Sequence, residues 1–321
     1  MKTQFSILSI QFLSILLICT ISCQKPKKIT GAVILYSYGT VKTTSKKKVM
    51  AGTILALNDA ISTSKKSFCD IQLLGIESQT TIRIQANSKF EIKQRSNENL
   101  PKVHQGKALF KVAGGKSDKN KLNVETSTSV AGIRGTQFEV SVDKEQNTKI
   151  STYEGEVDTR YRFAQIEDSQ KLQGSEILEA VVAAATANTT PIPASQATVI
   201  RKKEIDKVYQ ENNLQTGDIK KSFSAEKFKA SMLKQKEQQK LEKIPEKEMK
   251  SKLEELSELV ALELSKLTSE ENRSNAVKER NQKMEKVLQT RSKKVNTSSS
   301  SSSKNCLKTN SLQGFWDCAT K

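Results

Sequence analysis

Val130-Ala131-Gly132-Ile133-Arg134-Gly135-Thr136-Gln137-Phe138-Glu139-Val140 is the stretch on which the fold turns. Its two glycines permit a tight bend around Arg134, and the Thr136 hydroxyl can bond the turn backbone. Arg134 is expected to close that turn through carbonyls or a carboxylate. Beyond the bend, Phe138-Glu139-Val140-Ser141-Val142 alternates with the two-residue period of a strand, placing Phe138 and Val140 on its buried side. No Gly-Lys-Ser follows and no helix begins, so the string is not a phosphate loop.

The same alternation spreads outward on both sides. Ile82-Arg83-Ile84 and Phe90-Glu91-Ile92 carry it, and short runs such as Ile71–Leu74, Leu109–Val112 and Lys149–Tyr153 recur between turn signals. Asn58-Asp59, Ser96–Asn99, Gly114–Asp118 and Asp143–Asn147 supply those turns. Many short strands at spacings of about 8–12 residues predict a sandwich, barrel or coiled β structure over residues 31–163. Cys69 falls in an apolar run and is expected to be a small buried filler.

The glycine string resembles the signature of the FecR domain family, in which a "V-R-G-T-x-F-x-V" run enters a strand. Ala51–Leu55 with Asn58–Thr63 is similar to the family's opening, and Cys69–Ile92 follows its paired-strand pattern. Gln105–Phe110 and Tyr153–Val157 match its two later glycine-centred strands. The resemblance covers roughly residues 38–159. Asn58 stands where the family has Gly, and Asn tolerates the left-handed backbone that Gly would supply. The resemblance implies a FecR-like β domain in which Gly132, Arg134, Gly135, Thr136 and Phe138 are structural residues.

The character changes near Ala164. Residues 164–221 read as a linker with short helices: Ser175–Asn188 is alanine-rich and helical, and Thr189–Pro193 breaks it. Residues 222–292 are rich in Lys and Glu. Ser224 can cap a helix reaching about Lys243, and Pro245 fits the first turn of the next. Met249, Leu253, Leu256, Val260, Leu264 and Leu267 form one apolar stripe, and Thr268–Glu271 offers a capping box for another helix. The stripe is short and irregular for a coiled coil, and a helical hairpin or partner-binding helix is expected. Residues 293–304 read as a serine-rich linker, followed by an appendage over 305–321. In that appendage Cys306 and Cys318 could close a disulfide in an oxidising compartment.

At the other end, Lys2 precedes an apolar stretch from Phe5 to Ile18, long enough for a signal peptide and short for a spanning helix. Thr20-Ile21-Ser22-Cys23 then reads as a lipobox. Residues 1–22 would be removed, Cys23 lipidated, and residues 23–30 left as a tether. Lys25, Lys27 and Lys28 would lie against anionic headgroups.

The 321 residues carry a formal net charge of +18, with 5% aromatic side chains. Such a balance often signals nucleic acid. Export removes that partner, and anionic lipid or cell-wall polymer is expected instead. His104 is the only histidine, no CxxC is present, and neither a metal site nor a cofactor is expected. The expected function is a non-enzymatic binding, scaffolding or sensing module with protein partners in the envelope. Its expected address is the periplasmic face of an outer membrane. Direct control of a sigma factor, known for some FecR members, would need a cytoplasmic segment ahead of the envelope domain. The alternative is an envelope enzyme acting on peptidoglycan or polysaccharide through Glu139, Glu154 or Glu156.

Overall fold

The computed structural model describes residues 28–45, 49–76, 79–95, 98–113, 122–133, 135–214, 223–262, 269, 271–272, 274–283 and 286. Cys23, Arg134, Cys306, Cys318 and the serine-rich linker lie outside the described residues. So do Leu264 and Leu267 of the apolar stripe.

Period-two sequence becomes strand throughout the first half: β1 (Gly31–Tyr38), β2 (Val41–Thr43), β3 (Ile54–Leu55), β4 (Ala60–Thr63), β5 (Phe68–Leu74), β6 (Thr80–Ile84) and β7 (Lys89–Lys93). They are followed by β8 (Leu100–Val112), β9 (Leu122–Glu125), β10 (Ser129–Ile133), β11 (Gln137–Val142), β12 (Thr148–Glu154) and β13 (Glu156–Tyr161). Three further strands, β14 (Thr190–Pro193), β15 (Gln196–Ile200) and β16 (Leu241–Lys243), come from the second half. Sheet one runs β3-β1-β5-β6-β8-β11-β12-β15-β16, and sheet two runs β2-β4-β7-β8-β9-β10-β13-β14.

The long strand β8 belongs to both sheets. Residues 100–105 pair with β7, and residues 106–112 pair with β6 and β11. Gly106 makes the change of sheet: its φ is +83°, and a Cβ there would stand 2.5 Å from the Ser88 Cα. The inner faces of the two sheets share one core, including Ile34, Ile71, Ile82, Phe110 and Phe138 from sheet one and Ile61, Phe90, Val124, Ile133 and Val157 from sheet two. The architecture is therefore a β sandwich, with Asn58 in the left-handed region at φ +66°.

Residues 164–214 are more than a linker with short helices. Helices α1 (Ala164–Glu167), α2 (Glu176–Ala187), α3 (Lys202–Glu211) and α4 (Ala225–Gln238) enclose a second core around Phe163, which meets Tyr209 and Phe228 edge-on at 5.6 and 5.0 Å. Ser175 and Ser224 cap α2 and α4 by accepting the N–H of Leu178 and Lys227. The expected break at Thr189–Pro193 is instead β14, which extends sheet two beside β13, while β15 extends sheet one beside β12. Two prolines are tolerated there because β14 is an edge strand needing donors on one side only.

Helix α4 stops at Gln238, short of Lys243, because Leu241–Lys243 pairs with β15 as β16. Helix α5 (Glu246–Ser257) then packs on the outer face of sheet one. Met249, Leu253 and Leu256 of the stripe meet Leu109 and Tyr153, but the helix ends at Ser257 and Val260 is exposed. The stripe therefore breaks where sheet one takes over the backbone bonds: the Gln72 side chain accepts from the Leu262 N–H at 2.7 Å and donates to its carbonyl at 3.0 Å. A last helical run over 274–283 lays Ala276 and Val277 on Val33 and Leu35. Sheet one is thus covered by the chain's own C-terminal segments. Among the described residues no helix is long and apolar enough to cross a membrane.

Candidate binding face

The glycine string spans the crossover between the sheets. The string leaves sheet two after Ile133, the last residue of β10, Gly135 takes φ +60°, and the chain re-enters as β11 on sheet one. The Thr136 hydroxyl does not bond the turn backbone as expected: it is buried with no hydrogen-bond partner among the described residues. The Thr136 carbonyl accepts the Val112 N–H at 3.0 Å, and the methyl fills the space against Gly155, where a Cβ would stand only 2.7 Å away. Phe138 is fully buried, with its ring stacked on Phe110 at 4.7 Å.

The outer face of sheet two differs from that of sheet one. Alternation along the strands turns outward Leu100, Lys102 and His104 of β8, Asn123 and Glu125 of β9, Val130 and Gly132 of β10, and Asp158 and Arg160 of β13. In register, Gly132 lies between Asn123 and Asp158. A side chain missing from the middle strand leaves a gap between its neighbours. That gap is the floor of a cleft of about 280 Å³, walled by Glu98, Glu125, Asp158 and Arg160 and closed by Thr186 and Thr189 at the end of α2. The Glu98 carboxylate accepts from the Asn123 amide at 3.1 and 3.2 Å. Arg160 is held flat by a two-point ion pair with Glu167, at 3.1 and 3.0 Å. Burial pushes the Glu167 carboxyl up, but Arg160 outweighs it and leaves the carboxyl below its ordinary range.

Beside the cleft lies a charged network that shares Glu125 with it. The Arg162 side chain is fully buried and donates to the Thr126 carbonyl at 3.0 Å and to Asp168 at 2.7 Å, with Glu125 at 3.3 Å. Arg95 donates to Glu125 at 2.8 Å and to Asp168 at 2.7 Å, and the Lys93 ammonium stands 3.3 Å from Asp168. Burial pushes the Asp168 carboxyl up, yet Arg162, Arg95 and Lys93 together hold it far below the usual carboxylate range. Lys102 is displaced the other way. Burial and then the neighbouring Arg162 and Lys93 bring its ammonium down to about 8. His104 is also lowered by burial, although its Nε2 is 3.2 Å from Glu91.

The carboxylates considered for glycoside chemistry do not share this cleft. Glu139 is buried on the opposite sheet, 3.1 Å from Lys252 of α5, whereas Glu154 and Glu156 are exposed on either side of Gly155. Cys69 is a free, buried cysteine in β5, where burial pushes its thiol up.

Sequence reasoning singled out the glycine string but not Arg95, Lys102, Glu125, Arg162 or Asp168. A signal was present in the charges repeating every second residue, Asp158-x-Arg160-x-Arg162 on one strand and Lys102-x-His104 on another. Nothing in the sequence told that the two rows face the same side of one sheet.

A family model described as FecR protein matches residues 59–158, from the start of β4 into β13. Two crystal structures from Parabacteroides distasonis ATCC 8503, described as an anti-sigma factor candidate, are also similar. The first is 13% identical, with a TM-score of 0.31 over 44% of this chain and 54% of its own. The second is 11% identical, with a TM-score of 0.32 over 47% of this chain and 64% of its own. This chain thus spans less than two thirds of either. No curated protein matches it.

Proposed function

We propose that the protein is a non-enzymatic binding or sensing module, lipid-anchored at Cys23 in a bacterial envelope, which engages its partner through the outer face of sheet two. The observation that carries this reading is the asymmetry of the sandwich. Sheet one is covered by α5 and the segments after it, while sheet two presents a cleft floored by Gly132 inside the FecR-matched region. Charged and amide side chains held in place by neighbouring groups (Glu98 by Asn123, Arg160 by Glu167) wall the cleft, an arrangement suited to holding a polar partner in one register. An envelope hydrolase draws no support from the geometry, because Glu139 is held in an ion pair beneath α5 and the exposed Glu154 and Glu156 do not line the cleft. The lipid anchor rests on the sequence from Lys2 to Cys23, and the outer-membrane address is part of the proposal.

Two experiments test the reading. Intact mass and detergent partition of wild type and Cys23→Ser should show acyl mass and detergent entry for wild type alone; a soluble, unacylated wild type removes the anchor. Photo-crosslinking from position 123 in native envelope should yield adducts that Gly132→Leu abolishes. Adducts unchanged by a filled cleft would sink the proposed face.

A further inference from the structure

The network beside the cleft holds more positive charge than its own carboxylates neutralise. Lys93, Arg95, Lys102 and Arg162 surround Glu125 and Asp168, and even with Glu91 beside Lys102 counted, four cations less three carboxylates leave a formal +1. One Asp168 oxygen is shared by three of the cations. Lys102 pairs in register with Glu91 on one side and Glu125 on the other. Glu91 is turned to His104, and Glu125 to the two arginines. Among the described residues no carboxylate lies within ion-pair distance of the Lys102 ammonium. The buried Nε–H groups of Arg95 and Arg162 have no acceptor either. Half-buried cations crowded in this way repel one another until an anion joins them.

The geometry points to a binding site for a phosphate-type anion formed by Lys93, Arg95 and Lys102, with the immobile Arg162 as its base. Guanidinium forks match phosphate oxygens in a two-point manner, and Lys102 supplies a point charge. The location suggests where such an anion comes from. The Asn99 side chain accepts from the Arg95 N–H at 3.4 Å and donates to the Ile29 carbonyl at 2.8 Å, so the cluster sits beside the point where the N-terminal segment enters the fold. From Cys23 to Ile29 an extended chain reaches at most about 20 Å. A lipid on Cys23 would therefore keep this end of the sandwich near the bilayer, where headgroup phosphates are concentrated. That source rests on the anchor proposed above; the anion site does not.

The test reads amine acylation at Lys102 by peptide mass spectrometry at pH 8, with the full chain in a neutral maltoside detergent or in phosphatidylglycerol vesicles. Exposed Lys234 is the internal control. Inorganic phosphate at millimolar concentration should slow Lys102 labelling at least fivefold against chloride of equal ionic strength, if the site takes free phosphate. Protection of that size in vesicles, with less than twofold from inorganic phosphate, assigns the site to headgroups. Lys93→Gln, on a partly exposed side chain that should not disturb folding, is expected to reduce either protection at least threefold. Equal labelling under all conditions overturns the site. Protection in vesicles that Lys93→Gln leaves unchanged is shielding by the membrane and overturns it too. The phosphate arm repeated on Cys23→Ser separates the two readings, because it should survive even where the anchor is lost.

Discussion

Replacing Arg83 by Met is expected to strip the C-terminal segments from sheet one and to do so in a pH-dependent way. Arg83 is almost fully buried between the sheet and its cover. Its Nε and Nη2 donate to Asp70 at 2.8 and 3.0 Å, its Nη1 donates to Glu258 at 3.0 Å, and its guanidinium lies 4.9 Å from the Phe68 ring centre. Methionine keeps most of the stem's packing but leaves Asp70 and Glu258 buried, with Arg280 the one cation still within 4 Å of Asp70 among the described residues, at 3.8 Å. Breaking a buried pair by removing one partner costs about 3–5 kcal/mol, a large share of a typical domain's stability of about 5–15 kcal/mol. Burial already raises the Glu258 carboxyl against the pull of Arg83. Without Arg83 the Glu258 carboxyl should titrate further above its unfolded value, so the folded state binds more protons and the variant gains stability as pH falls through that range. Urea unfolding followed by circular dichroism should thus show a deficit of about 3–5 kcal/mol at pH 7.5 that shrinks at pH 5.5. Adding Asp70→Leu and Glu258→Leu should recover most of it, since buried ion pairs exchange well for apolar groups. A deficit under about 1 kcal/mol, or one identical at both pH values, would refute the reasoning.

Gly106→Ala should destabilise by about 2–4 kcal/mol, because its Cβ would stand 2.3 to 2.7 Å from Ser88 and Asn87 atoms at φ +83°. Gly174→Ala, with open space around it at φ +71°, should lose only about 1 kcal/mol in the same melt. Phe138→Ala removes a fully buried ring stacked on Phe110 and should cost about 3–5 kcal/mol by denaturant titration. Lys102→Met should stabilise the phosphate-free protein by about 1 kcal/mol at pH 7, solvent screening allowed for. The wild-type ammonium sits at about 8 in the fold, so its penalty is present below that and fades as pH rises towards the unfolded lysine value. A gain that stayed constant to pH 10.5 would show that the charge is not responsible.

The β half of the chain was legible because its signals are local. Alternation at Ile82–Ile84 and Phe138–Val142 needs no partner to be read, and Asn58 marked its own left-handed turn. The second half was legible in propensity and less so in place. Ser175 and Ser224 start their helices as expected, yet Thr190–Pro193 and Leu241–Lys243 became strands because β13 and β15 offered unpaired edges. Sheet edges are tertiary facts, and they override a proline pair or a helical composition. The apolar stripe shows the same limit: its spacing runs past Ser257, but Gln72, at a distance of 190 residues, captures the Leu262 backbone. The candidate face was the least legible part, since Arg95, Lys102, Glu125 and Arg162 lie on or after four different strands and only register brings them together.

The covering of sheet one also bears on why sheet two is the face to test. The outer side of sheet one is not apolar throughout: Asp70, Gln72, Arg83 and Glu139 lie on it, each satisfied by a group from the C-terminal segments or from a neighbouring strand. A partner competing there must replace both the apolar contacts of Leu256 and Leu259 and the bonds to Gln72 and Arg83. Sheet two asks for no such displacement. Its cleft is open because β10 carries a glycine where its neighbours carry Asn123 and Asp158, and its charge is in excess because, among the described residues, no carboxylate stands within ion-pair distance of Lys102. The string that carries the chain from one sheet to the other therefore also shapes the accessible face. Gly135 serves the turn through its positive φ, while Gly132, in an ordinary strand, serves it little and the cleft a great deal. Substitutions at these two glycines, three residues apart, should for that reason separate folding from binding.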